Sequence, residues 1–177
     1  RRMLPKCGYN RNSPKVVIYG PQELGGIEFR TLYVEQGVGQ TTYFLKFWRT
    51  ECEAGQLLRI AVSWNQLLAG TGTSILMDVS TRLPHLETKW IPSLRAFLAS
   101  VGGQIELDTT YVPPLQRELD FYLMDSVLEH PSFSNRDIRI INYCRLYLQA
   151  TTLSDICDPS GRTIDPALQK GNPSLLS

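Results

Sequence analysis

The stretch Ser134 to Gly161, SNRDIRIINYCRLYLQATTLSDICDPSG, decides how the chain is read. Ser134 has the oxygen to cap a helix, and Asp137, three residues on, makes a capping box with a shorter acid than the usual glutamate. A helix is therefore predicted to start at about Asn135. Ile140, Ile141, Cys144, Tyr147, Leu148 and Thr151 recur at helical spacing, and Tyr143, Leu146, Ala150 and Leu153 widen the stripe beyond an ordinary amphipathic face. Such a helix would be packed on most sides. Its remaining ribbon, Asn142, Arg145, Gln149 and Thr152, is aligned on one narrow face. The helix should stop near Cys157, because Asp158 precedes Pro159, and Asp158-Pro159-Ser160-Gly161 has the residues of a type I turn.

Upstream, helical spacing predicts a helix over about Leu115 to Glu129, after the break at Pro113-Pro114. Another is expected with Thr88 as its cap, Pro92 in its first turn, Trp90, Leu94, Phe97 and Leu98 facing inward, and Gly102-Gly103 as its end. Glu53 to Ala69 should be helical, with Leu57, Ile60, Ala61, Trp64, Leu67 and Leu68 as its periodic apolar set and Gly70-Thr71-Gly72 as its boundary. The first long helix is placed at about Thr31 to Arg49, paired antiparallel with the next. Gly37 and Gly39 inside it cost about 1 kcal/mol each against alanine, for which close packing of another helix is the simplest reason. A surface loop is expected over residues 70 to 87, and Gln104 to Leu107 alternates as a short strand would. Near the start, Ser13-Pro14 opens a short helical turn, and Gly25-Gly26 supply positive φ or close approach where the chain turns back through Ile27, Glu28 and Phe29.

The fold class that results is mainly α, about five helices packed as an irregular bundle with one possible small β-hairpin. The organisation is a basic linker over 1–15, a helical domain over 16–158 and a C-terminal linker over 159–177, both ends reading as cuts in a longer reading frame. At 177 residues, with 42% hydrophobic and 20% charged, the chain suits one domain with a real core. No run of eighteen apolar residues and no signal-peptide pattern occurs, so a soluble intracellular protein (cytoplasm or nucleus) is expected, without membrane contact. Cys7, Cys52, Cys144 and Cys157 lie far apart with no C-x-x-C pair, which favours reduced buried thiols over disulfides or zinc ligands.

The formal net charge of +1 is unevenly spread. Residues 1–15 hold Arg1, Arg2, Lys6, Arg11 and Lys15 and no acid, whereas residues 51–134 hold five basic and ten acidic side chains. Clustered cations are what phosphate contacts need, so nucleic acid would be met by Lys6, Arg11 and Lys15; the other reading of this arm is a solvated linker. On the last helix Arg139, Arg145 and Gln149 are the candidates for the same contact, the alternative being that the polar ribbon is a solvated strip.

Catalytic signals are weak. Two-metal chemistry needs paired carboxylates, but Tyr122-Leu123-Met124-Asp125 is followed by Ser126 and no Asp-Asp pair occurs. Gly37-Val38-Gly39-Gln40-Thr41-Thr42 lacks the lysine and the preceding strand of a phosphate loop. His85 and His130, the only histidines, read as surface loop residues with no nucleophile beside them. No cofactor, no metal and no catalytic residue is expected in this chain.

Three stretches carry a resemblance: PKCGYNRNSPKVVIYGP with its sequel LGGIEFRTLYVEQGVGQ, the acidic LDFYLMD, and CRLYLQATTLSDI. Together they resemble, over most of residues 5 to 158, a segment downstream of the polymerase in retroelement reverse transcriptases of diatoms and related microbial eukaryotes. The resemblance implies a non-catalytic segment after the fingers, palm and thumb of an RNA-directed DNA polymerase polyprotein. Its implied partners are the upstream polymerase region and template or primer backbone. The competing expectation is an independent helical protein-interaction module with no nucleic-acid role.

Overall fold

The computed structural model describes residues 4–8, 10, 12–87, 89–109, 111–166 and 168. Among them it places six α-helices: α1 (Lys15–Tyr19), α2 (Leu32–Trp48), α3 (Glu53–Ala69), α4 (Trp90–Ser100), α5 (Leu123–Glu129) and α6 (Asn135–Tyr147). The class is mainly α, as the periodicity implied. No β-hairpin forms among the described residues; Tyr122 with Thr152 and Cys157 with Ile164 are isolated antiparallel bridges. The chain divides into two compact units, Arg1–Tyr43 and Phe44–Ser177, the boundary falling inside α2. Thr88, the expected cap of α4, lies outside the described residues, as do Arg1, Arg2 and Arg11 of the basic arm.

In the first unit the glycine turn behaves as its composition demands. Gly25 sits at φ +79°, and a Cβ on Gly26 would fall on the backbone of Gly20. That close approach lets the amides of Ile27 and Phe29 donate to the carbonyls of Val17 and Ile18 at 2.8 and 2.9 Å. Of the two α2 glycines, Gly39 does not have the expected reason. Gly37 is buried, but a Cβ on Gly39 would meet no atom within 4 Å, so no helix packs there.

The core of the second unit is built on aromatic stacking. Phe44 is fully buried and stacks on Trp48 at 5.4 Å and on Trp90 at 6.4 Å, while Trp48 Nε1 donates to Asp108 Oδ1 at 2.9 Å. Burying an aromatic ring removes the most apolar surface per residue, and satisfying the indole N–H makes that burial costless in polar terms. Leu58, Val62 and Ala69 of α3 and Ile91, Leu94 and Leu98 of α4 complete this cluster, with α3 packed on α4 and α5 on α6. Leu94, Phe97 and Leu98 face inward as expected.

Residues 70–87 are irregular but not a surface loop, for Ile75 and Leu76 are buried in the core. Polar side chains make this possible by taking up the loop's backbone groups, which would otherwise be orphaned. Buried Gln66 donates to the carbonyls of Thr71 and Thr73 at 3.0 and 2.9 Å and accepts from the Ile75 amide at 3.0 Å. Arg95 donates to the carbonyls of Ile75, Asp78 and Thr81. In the same way residues 104–107 form no strand; the Ile105 amide gives one bond to Leu76 O at 2.9 Å.

Two helices are shorter than expected, for one reason. The Asp120 carboxylate accepts from the amides of Gln116, Phe121 and Ser154 at 3.0, 3.0 and 2.9 Å, taking at Phe121 and Ser154 the donors that the two longer helices would use. The chain there pairs instead with the segment after α6, through Leu123 N to Thr151 O and Leu153 N to Phe121 O. Asp155 likewise takes the amides of Thr151 and Thr152, both at 2.8 Å. Hence α5 begins only at Leu123 and α6 ends at Tyr147, not near Cys157. The α6 start agrees with the sequence: Ser134 Oγ accepts from Asp137 N at 3.3 Å and Asp137 Oδ2 from Ser134 N at 3.0 Å. At the other end Gln149 takes φ +56° while Ala150 N donates to Arg145 O and Gln149 N to Leu146 O, a Schellman closure with glutamine where glycine is usual. The Asp158 to Gly161 turn closes by Gly161 N donating to Asp158 O at 2.9 Å.

Candidate interaction surfaces

The polar ribbon of α6 lies on the inside. Asn142, Arg145 and Thr152 are buried, at 5%, 4% and 1% exposure, whereas Ile140, Tyr143 and Tyr147 of the supposed inner stripe are exposed. Of the ribbon only Gln149 reaches solvent. Arg145 donates to Leu67 O at 2.6 Å, Leu68 O at 3.3 Å, Ala150 O at 3.3 Å and Asn142 Oδ1 at 2.9 and 3.1 Å. Burial lowers its pKa to about 10, so it stays charged at neutral pH. His85 Nε2 lies 3.1 Å from Ala69 O. The last carbonyls of α3, unsatisfied within their own helix, are thus taken by two side chains from elsewhere, a guanidinium placed where the helix dipole favours positive charge. Gly70, at φ +68°, leaves the room: a Cβ there would come within 2.6 Å of the guanidinium carbon. Arg145 is therefore a buried joint between α3 and α6, closed off from any phosphate, and His85 is a half-buried part of that joint, not a surface histidine. His130 is exposed, with its ring 5.1 Å from that of Phe133.

The other candidates are dispersed. Lys6 and Lys15 are exposed in the first unit, and Arg11 lies outside the described residues. Arg139 is exposed on α6 with Nε donating to Pro84 O at 3.0 Å. Cys52 and Cys157 are half-buried free thiols. Asp120 is a turn acceptor, and Asp125 Oδ2 accepts from Gly72 N at 3.0 Å. Among the described residues no group of three or more His, Cys, Asp or Glu is placed to hold a metal ion, and no helix is long and apolar enough to cross a membrane.

The surface that the sequence reading assigned to the core is on α3. Leu57, Ile60, Trp64 and Leu67 are 59%, 62%, 56% and 43% exposed, while Gly55, Leu58, Val62, Gln66 and Ala69 make the buried face. The helix carries two apolar faces, and only one is used by the fold. The signal was present: on this 17-residue helix apolar residues spread well beyond a single face, and such a helix is buried on most sides or has a partner. What concealed the inner face is its composition, since Gly55 and Gln66 do not look like core residues.

The buried titratable groups dictate a two-step loss of stability in acid. Burial, together with Arg145 and Arg139, holds the His85 pKa below 6.5 against the opposing bond to Ala69 O, so its contribution is complete above pH 6.5 and declines as pH falls below it. For Asp78 and Asp120 burial pushes the pKa up, but hydrogen bonds outweigh it and leave both at about 2, below the ordinary 3.8. Their contribution is present above pH 3.8 and lost between there and 2. Asp125 has the opposite sign, burial and nearby carboxylates raising its pKa, so its ionisation costs stability at neutral pH. Urea melts at pH 7.5, 5.5 and 3 should show both steps; His85→Gln should remove the first, and Asp125→Asn should raise stability at pH 7.5.

No protein-family model, no curated protein and no solved structure matches this chain, so its second apolar α3 face stands as the feature on which function is argued.

Proposed function

We propose that this chain is a non-catalytic helical packing module of a retroelement reverse transcriptase, seated on the adjoining polymerase region through α3. The observation that carries the packing role is the exposed Leu57, Ile60, Trp64 and Leu67 face on a helix whose opposite face is already in the core. A contiguous apolar stripe of this kind on a folded unit marks an interaction surface. The polymerase as partner follows from the resemblance of the PKCGYNRNSPKVVIYGP and CRLYLQATTLSDI strings. Nucleic-acid backbone contact, where it occurs, falls to exposed Lys6 and Lys15 and to Arg139, since Arg145 is committed to α3. The same face supports an independent protein-interaction module as the second reading.

Two measurements separate these. The in-frame DNA upstream should encode an aromatic-x-Asp-Asp hairpin, and in a single polypeptide joining the region so encoded to this chain, acrylamide should quench tryptophan fluorescence at Trp64 less than in this chain alone. Ile60→Ser combined with Leu67→Ser should restore the quenching. A complete gene without that hairpin, or quenching indifferent to these substitutions, sinks the polymerase assignment.

A further inference from the structure

We infer that the exposed α3 face takes one tethered amphipathic α-helix with an uncharged apolar face, laid along α3 in coiled-coil register. This rests on the packing-module reading and specifies its partner. Leu57, Ile60, Trp64 and Leu67 are spaced three, four and three apart, the alternation of a and d positions that a second helix meets at a shallow crossing angle. The positions flanking this seam are Gln56, Ala61, Ser63 and Leu68, none of them charged, and the charge in its register is the exposed acid Glu53, one step before Leu57. Small Ala61 and Ser63 let a backbone approach, and the uncharged stretch from Leu57 to Leu67 is complemented by an uncharged apolar face.

The same lack of cations argues against nucleic acid. The one cation on α3, Arg59, donates to Trp48 O and Thr50 O, both at 3.3 Å, and so closes the α2–α3 turn. With no Lys or Arg along the seam, a phosphate backbone has nothing to neutralise it.

Area decides between a free partner and a tethered one. Four side chains exposed by about half offer roughly 100 Å² each, hence about 400 Å² for the face. A stable interface between separate proteins buries about 800 Å² per partner. A second copy of this chain, meeting face to face through this seam, would bury half of what it needs. A helix joined through a flexible linker sees an effective concentration of about millimolar and is held by the smaller face.

The test joins to Ser177, through a Gly/Ser linker of about 40 residues with a mean span near 35 Å, a 21-residue neutral helix with leucine and isoleucine at three-four spacing. Acrylamide quenching of tryptophan fluorescence reads the cover over Trp64. Quenching should fall in the linked protein, with no fall when Trp64 is replaced by Phe or Ile60 by Glu, and circular dichroism checks that each variant is folded. The same helix added free should protect only above about 100 μM. Sedimentation of the unlinked chain at 50 μM should give a monomer. The inference is overturned by unchanged quenching in the linked protein, by a dimer that dissociates on Trp64→Ser, or by binding of a labelled RNA oligonucleotide that is lost on Trp64→Ser. Failure here with intact cover of Trp64 by the joined polymerase region would reject the helix while keeping the packing role; the reverse result would reject the polymerase.

Discussion

Arg145→Met should destabilise the protein by about 3–5 kcal/mol, about a fifth or more of the stability of an ordinary domain. Methionine fills a similar volume, so packing is nearly preserved and the loss is polar. The carbonyls of Leu67, Leu68 and Ala150 and the Asn142 amide oxygen each lose the donor they have in the folded chain. Leaving a buried acceptor without a partner costs about 1–3 kcal/mol, and the four are not independent, which places the total below their sum. Arg145→Lys should recover only part, because one ammonium cannot reproduce a planar fork spanning two helix ends. Urea denaturation at pH 7.5 measures both. A Met variant that melts like the parent and instead binds oligonucleotide less well would return Arg145 to the surface.

How far the sequence could be read follows from which forces were local. The α6 start was legible because Ser134 and Asp137 carry the whole capping box within four residues. The Gly25-Gly26 turn and the Asp158 turn were legible for the same reason. The ends of α5 and α6 were not, because Asp120 captures Ser154 N from 34 positions away, and nothing in either segment alone reveals that competition. The inverted faces have a further cause. Periodicity counts apolar residues, yet the inner face of α6 sets Asn142 and Arg145 beside Ile138, and that of α3 includes Gly55 and Gln66, polar or small groups buried because they complete backbone hydrogen bonds or permit close approach. At Gly55 a Cβ would fall on the carbonyl oxygens of Thr50 and Phe47, so the glycine marks the contact of the α2 end with α3. The same holds for the site. Spacing alone leaves Arg145 to a solvated strip or a phosphate, whereas it caps another helix, and it assigns to the core a stripe of large apolar residues that is the unused face.

Phe44→Ala and Trp64→Ala should differ sharply, though each removes a large aromatic from a long helix. Phe44 is 0% exposed, stacked on Trp48 and Trp90, and its truncation opens a cavity that neighbouring rings from two helices cannot collapse into without unstacking; about 3–5 kcal/mol is expected. Trp64 is 56% exposed, so alanine there should cost less than about 1 kcal/mol, with alanine's better helix propensity offsetting some of the lost contact. The pair is a measure of the α3 face itself, since periodicity alone ranks Trp64 as core. Thermal melts of the two variants, on a chain of this size, should separate by roughly 6–15 °C. Equal losses would mean that the Leu57–Ile60–Trp64–Leu67 seam is buried within the chain and leaves no face for a partner. Loss at Phe44 alone leaves a tryptophan that the fold does not need, on a helix whose inner face is already filled, and a partner helix is what gives that residue a use.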